Sequence, residues 1–227
     1  MKQQKLIDGF PYLKYSKESF DESVILEKTT SFYEWLNNRR TVREFSDKPI
    51  AKEVISNLLL SASTAPSGAH KQPWTFCVVS DQELKSKIRI AAELEEKESY
   101  ENRMTDEWLK DLAPLGTDWH KPFLEKAPYL IIIFKRNYEI NEDGKKQPNY
   151  YVTESCGIAC GMLLAAIHNA GLAALTHTPS PMNFLIKLLN RPENEKPFLL
   201  IPIGYLAEDC WVPDIHRKDI TQIAEWY

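Results

Sequence analysis

The sequence predicts an α+β domain. Strand-like and helix-like stretches follow one another without strict alternation, and two dense apolar runs, Trp74–Val79 and 127–135, have the length of buried strands. A third stretch, 151–170, is rich in Gly, Ala and Cys and has the length of a closely packed helix. At 227 residues the chain is long enough for one compact domain with extensions and a sizeable core.

Residues 1–28 are charged and aromatic without sustained periodicity. They read as an extended arm crossing a neighbouring surface, since Phe10, Tyr12 and Tyr15 need something to pack on. A helix runs from about Thr30 through Trp35 and Leu36 to Arg39, and residues 40–46 turn the chain into the main domain, 29–227. Pro49 opens a second helix with Ile50, Val54, Ile55, Leu58, Leu59 and Ala62 at helical period, and the loop signal from Ser63 to Gly68 ends it.

Trp74–Val79 is the first buried strand, and Asp81 caps a helix carrying ELEEKESYEN. Trp108, Leu109, Leu112 and Trp119 mark helical turns broken by Pro114 and Gly116. The Ile-rich run 127–135 is the second strand, EINEDGKKQPN reads as a loop, and Gly171 is placed to stop the helix over 151–170. A short strand over 172–175, a Thr-His-Thr-Pro turn, a helix near 183–189 and a strand over 198–203 follow, then a C-terminal extension.

Twenty-eight Lys and Arg against 32 Asp and Glu leave a net charge of −4, which gives no field for nucleic acid or an anionic membrane. Cys77, Cys156, Cys160 and Cys210 form neither a CxxC pair nor a disulfide ladder, so reduced thiols in the cytoplasm are expected. The polar amino terminus does not read as a signal peptide, and residues 129–134 are too short a run to span a bilayer.

Arg39, Arg40 and Arg43 place three guanidinium groups, with the Thr41 hydroxyl, within five residues. Planar guanidinium forks suit a phosphate, though a solvated basic turn has the same composition. The loop from Ser63 to His70 offers free backbone N–H groups to a ligand or merely connects two elements; His70 is an acid–base candidate without a sequence-adjacent partner. No GxGxxG or GxxxxGK[ST] occurs, which disfavours dinucleotide-binding and P-loop enzymes. Cys156 and Cys160 are one helical turn apart among apolar residues and read as buried small hydrophobes, and the five His share no ligand spacing, so no metal site is expected. Glu96 and Tyr100 share a helix face, with Lys121 in reach; together they suit an α-amino acid, or form a solvated charged surface.

Taken together, NNRRTVREFSDKPI, STAPSGAHKQPWTFCVVSD, EEKESYENRM with TDWHKPFLEKAPYLIIIFK, SCGIACGMLLAAIHNAGLAALTHTP, and LLNRPENEKPFLLIPIGY with VPDIHRK resemble the nitroreductase-like flavoproteins, and among them the iodotyrosine deiodinase family. The resemblance runs from about Thr30 to Lys218. It implies a central, mainly antiparallel sheet flanked by helices, and a domain-swapped homodimer with FMN at the subunit interfaces. It assigns the phosphate and ribityl grip to Arg39, Arg40, Thr41, Val42 and Arg43, helped by Arg217. Ser67 and Gly68 would lie along the flavin, and the Ala69 N–H at the substrate phenolate. Thr176, His177 and Thr178 would contact the isoalloxazine, with the Thr176 hydroxyl catalytic at flavin N5. Glu96, Tyr100 and Lys121 would clasp the amino-acid zwitterion and close a lid of about 93–121.

The implied activity is FMN-dependent reductive dehalogenation of 3-iodotyrosine, and of its bromo and chloro analogues, by one-electron steps fed from a separate reductase. An NAD(P)H-dependent nitro or quinone reductase using hydride transfer, and a non-catalytic flavin or tyrosine-ligand-binding protein, are the competing readings. Thr41 stands where the animal members have Ser, and His177 where they have Thr. The membrane anchor of the animal members is missing from this sequence, which suggests a soluble, bacterial-type relative.

Overall fold

A computed structural model of the protein describes residues 3–227. Contacts divide the chain into an amino-terminal unit ending at Arg39 and a main unit beginning at Arg40.

In the first unit, β1 (Gln4–Ile7) and β2 (Phe10–Leu13) form an antiparallel hairpin, and α1 spans Glu22–Asn37. The segment read as an arm over 1–28 is therefore partly regular; its first two residues lie outside those described. Helix α1 starts eight residues before Thr30, behind Asp21 in extended conformation and with Glu22 in its first turn, an acidic start that the β-branched run after it obscures. None of its residues is buried, and Phe10, Tyr15, Leu26 and Tyr33 are all exposed.

The main unit is built on a four-stranded antiparallel sheet in the order β3-β4-β8-β7, formed by β3 (Trp74–Val79), β4 (Tyr129–Arg136), β8 (Glu195–Gly204) and β7 (Ala173–Ala174). Strand β4 is apolar without alternation because both sheet faces are covered. Leu130, Ile132 and Phe134 enter one core with Ile88, Ala92, Phe123 and Leu185, from α3 (Gln82–Glu98), α5 (Phe123–Lys126) and α7 (Phe184–Leu188). Ile131 and Ile133 enter the other, with Ile55 and Leu58 of α2 (Lys52–Ser63) and Leu163 and Ile167 of α6 (Val152–Asn169). Between α3 and α5 stand a π turn at Ser99–Arg103, the short α4 (Asp106–Leu112) and a left-handed Gly116.

Two expectations change. The polar EINEDGKKQPN segment is a hairpin, with β5 (Tyr138–Ile140) paired to β6 (Lys146–Pro148) across a turn that the Asn141 side chain closes by accepting from Lys145 N–H at 2.7 Å. Strand β8 starts at Glu195, three residues early, because a register shift between Ile133 and Phe134 accommodates Pro197 in the ladder. No helix among the described residues is long and apolar enough to cross a membrane.

Candidate functional site

The Arg-rich segment continues the sheet at its β7 edge, where Thr41 bridges Ala174 in parallel and Val42 N–H donates to Ala174 O at 3.2 Å. The C-terminal extension covers its other side. Phe45 pairs with Leu206, Trp211 N–H donates to Glu44 at 2.6 Å, and the Arg40 guanidinium donates to Pro213 O. The Val42 side chain is in the core, leaving only its backbone to meet a ligand. Thr41, Arg43 and Glu44 line one wall of a cleft of about 410 Å³; Pro114, Leu115, Gly116 and the Trp211–Pro213 stretch line the rest. Arg39 closes the amino-terminal unit, and Arg217 lies in the exposed extension.

Arg43 leads from this cleft to the lid. Its guanidinium donates to Leu115 O at 3.5 Å and is electrostatically coupled to Tyr100, Lys121 and His177. Lys121, at 3% exposure, places its ammonium 3.3 Å from Glu96 Oε2 and 5.5 Å from the Tyr100 ring centroid. It also donates to Asp118 O and, at 3.4 Å, to Thr117 Oγ1. Tyr100 Oη donates to Thr117 O at 3.3 Å. The three residues proposed from the sequence as a clasp are thus together, and the buried Glu96 and Lys121 neutralise each other. Burial pushes the Lys121 ammonium below its ordinary range against the pull of Glu96, and raises the Tyr100 phenol.

The Thr176-His177-Thr178 segment runs beside β8, with His177 exchanging both backbone hydrogen bonds with Leu200. Strand alternation then separates the three side chains: Thr176 and Thr178 are exposed, while His177 is buried against the Phe123 ring, centroids 5.5 Å apart and edge-on. His177 Nε2 has no hydrogen-bond partner, and burial, reinforced by Lys121 and Arg43, pushes its pKa down to about 3. The resemblance assigns all three residues to the flavin; here the His177 side chain is directed into the core.

Ser67, Gly68 and Ala69 form a tight turn on the α6 side of the sheet. Gly68 is required by close approach, since a Cβ there would stand 2.6 Å from Tyr150 O. Ala69 and His70 both adopt left-handed backbone conformations, at φ 50 and φ 55. The Ala69 N–H donates to no group among the described residues, and Ser67 Oγ accepts from Gln72 N–H at 2.9 Å. Lid cluster and Ala69 turn therefore lie on opposite faces of one sheet, the first with α3 and the second with α6.

These residues suit a flat, phosphorylated polyol cofactor. The Arg43 guanidinium and the Thr41 hydroxyl border an open cleft, and a turn of minimal side-chain bulk presents an N–H with no partner among the described residues. Cys156 and Cys160 are buried, with their pKa pushed up to about 11 and about 12, which leaves them as unreactive thiols. Sequence reasoning missed Pro213 and Glu44, which anchor the extension, because nothing in the local pattern marks a contact across so many residues.

Fold and site define the class: the chain belongs to the nitroreductase family, whose sequence profile matches residues 36–205. Within that family it groups with the iodotyrosine deiodinases. It is 62% identical over 216 residues to the iodotyrosine deiodinase of Haliscomenobacter hydrossis, a match covering 95% of this chain and 97% of that one. Identity to the Danio rerio iodotyrosine deiodinase is 46% over 217 residues, covering 95% and 74%. A crystal structure of oxidized iodotyrosine deiodinase bound to FMN and 3-iodo-L-tyrosine superimposes with a TM-score of 0.74 at 32% identity, covering 86% of this chain and 98% of that one.

Proposed function

We propose that this chain is an FMN-dependent oxidoreductase that removes halide reductively from halotyrosines, 3-iodotyrosine foremost. The observation that carries the reading is the buried Glu96–Lys121 pair, 3.3 Å apart under Tyr100 and beside the Arg43 cleft. An amino-acid zwitterion entering between them exchanges one ion pair for two, its ammonium on Glu96 and its carboxylate on Lys121 and Tyr100. Every buried charge stays paired through the exchange.

Arg39, Arg40, Thr41 and Arg43, with Arg217, would hold the FMN phosphate and ribityl chain, and Ser67 and Gly68 would border the flavin. Thr176 would direct its hydroxyl to flavin N5, and Ala69 would give its N–H to the phenolate. FMN, when bound, supplies two electrons in single steps, so that halotyrosine, two electrons and one proton give tyrosine and halide. The protein's part is to hold the phenolate and zwitterion, exclude water and fix the ring's orientation.

The functional form in this reading is a homodimer. Ala69 and the clasp serve two ends of one substrate from opposite faces of one sheet, and a second copy contributing the turn would complete the site. A separate reductase would donate the electrons. Four cysteines without a disulfide are compatible with the reducing interior of a cell.

The test is to purify the protein, identify the released flavin by mass, and measure iodide from 3-iodotyrosine with dithionite as reductant. FMN and reductant-dependent iodide are expected. Flavin with no iodide, together with NAD(P)H-driven reduction of a nitroarene, would replace this reading by the hydride-transfer one.

A further inference from the structure

Helix α3 directs two carboxylates, one turn apart, at the same residue of the lid. Glu96 Oε2 takes the Lys121 ammonium at 3.3 Å, and Glu93 Oε1 accepts the Lys121 backbone N–H at 2.7 Å. The second contact is itself braced. Arg89 Nε donates to the same Glu93 oxygen at 2.7 Å, while Arg89 Nη1 reaches Glu125 of α5 at 3.2 Å. The Glu93 side chain is only 16% exposed. Lys121 is thus held at both ends by one helix. Its ammonium also donates to Thr117 Oγ1 and Asp118 O of its own turn and lies over the Tyr100 ring.

We propose that Glu93 is a positioning residue for recognition of the amino-acid substrate, a latch that fixes the Lys121 backbone against α3 so that the ammonium stands opposite Glu96. The proposal rests on the zwitterion clasp described above. Its logic is geometric. A lysine carries its charge on a flexible four-carbon stem, so an ammonium is placed reproducibly only where the backbone beneath it is anchored. Glu93 supplies that anchor at the point where the lid returns to α5, and Arg89, bridging Glu93 and Glu125, holds the carboxylate in place. The latch contributes nothing to the flavin grip or to the phenolate end, so its removal should be felt only by ligands carrying the amino-acid group.

The experiment is a double-mutant cycle on the flavin-loaded protein. Glu93→Ala and Glu93→Gln are each made alone and with Lys121→Met, and flavin fluorescence is titrated with 3-iodo-L-tyrosine and with 2-iodophenol. Amide exchange at Lys121 is followed by mass spectrometry without ligand. Loss of one charge-assisted backbone hydrogen bond predicts about tenfold weaker iodotyrosine binding in Glu93→Ala, with iodophenol unchanged. Glu93→Gln, which keeps an acceptor oxygen, should recover most of the loss. With Lys121→Met already present, Glu93→Ala should cost less than about twofold, because its effect runs through that side chain. Lys121 amide exchange should be faster in Glu93→Ala than in wild type.

An equal loss in both Lys121 backgrounds, or equal losses for iodotyrosine and iodophenol, would assign Glu93 to general stability and overturn the latch. Unchanged amide exchange would overturn it too. If Lys121→Met alone leaves iodotyrosine binding intact, the clasp is wrong and the latch falls with it, an outcome distinct from failure of Glu93 by itself.

Discussion

His177 should make this protein acid-sensitive, and the size of the effect follows from its burial. The imidazole is 7% exposed, has no partner at Nε2, and has a pKa near 3 instead of the ordinary 6.5. Below pH 6.5 the unfolded chain takes up a proton there that the folded chain refuses, so the stability His177 permits is complete above 6.5 and lost progressively as pH falls towards about 3. Between neutral pH and about pH 5, the difference amounts to about 1.5 units of lost linkage, or about 2 kcal/mol. His177→Asn keeps a planar polar group and removes the titration. Urea unfolding of both proteins at saturating flavin, at neutral pH and at about pH 5, reads the effect as a change in their stability difference. The variant should gain about 2 kcal/mol on wild type on acidification. A gain below about 0.5 kcal/mol would mean that His177 takes up its proton in the folded state, and that the burial argument is mistaken.

Further outcomes follow from the same geometry. Arg39→Ala with Arg40→Ala should yield mostly colourless protein, each lost charge-assisted phosphate contact being worth about 1.5–3 kcal/mol; stoichiometric flavin in the double variant would remove the phosphate assignment. Glu96→Gln should weaken iodotyrosine binding about 10²-fold while sparing 2-iodophenol, because only the amino-acid ligand leaves a buried ammonium unpaired; equal losses would argue against a clasp. Thr176 and Thr178 share an exposed face, so Thr176→Ala and Thr178→Ala are compared by reductive titration. Altered one-electron behaviour is expected in the first, and its confinement to the second would reassign the N5 contact. Co-expressed Gly68→Ala and Glu96→Gln chains should recover up to about a quarter of wild-type activity, since a mixed dimer carries one intact site; no recovery would place Gly68 and Glu96 in the same subunit's site.

The fold was legible where a pattern is short and dense. Strand β4 is unmistakable because burial of both faces leaves YLIIIFKR with no polar interruption before Lys135. Asp81 marks the start of α3 by its own chemistry, accepting from Leu84 N–H at 2.8 Å. The β5–β6 hairpin was not legible, because each strand is only three residues long, β6 is exposed throughout and β5 has no fully buried residue, so only the Asn141–Gly144 turn betrays them. Helix α1 was cut short for a related reason: with no buried residue in its own chain, it has no apolar stripe to register its start.

The site divides along a different line. Glu96 and Tyr100 are four residues apart on a helix, so their shared face follows from the backbone alone. Around them the sequence offers Glu93, Glu95, Glu96 and Glu98, four chemically identical groups within six positions. Helical rotation and the return path of the lid separate their roles. Glu95 and Glu98 turn outward to Arg103, at 3.2 Å and 4.0 Å, while Glu93 and Glu96 turn inward and hold the two ends of Lys121. Which acids meet Lys121 is therefore fixed by where residues 117–121 come back against α3. That position depends on Gly116 taking a left-handed turn and on Lys85, whose ammonium donates at 2.9 Å to the carbonyls of Glu125 and Ala127 and ties α5 to the same helix. A composition of acids and one lysine becomes a buried, paired cluster only through that long-range registration, the part of the structure to which a one-dimensional pattern is blind.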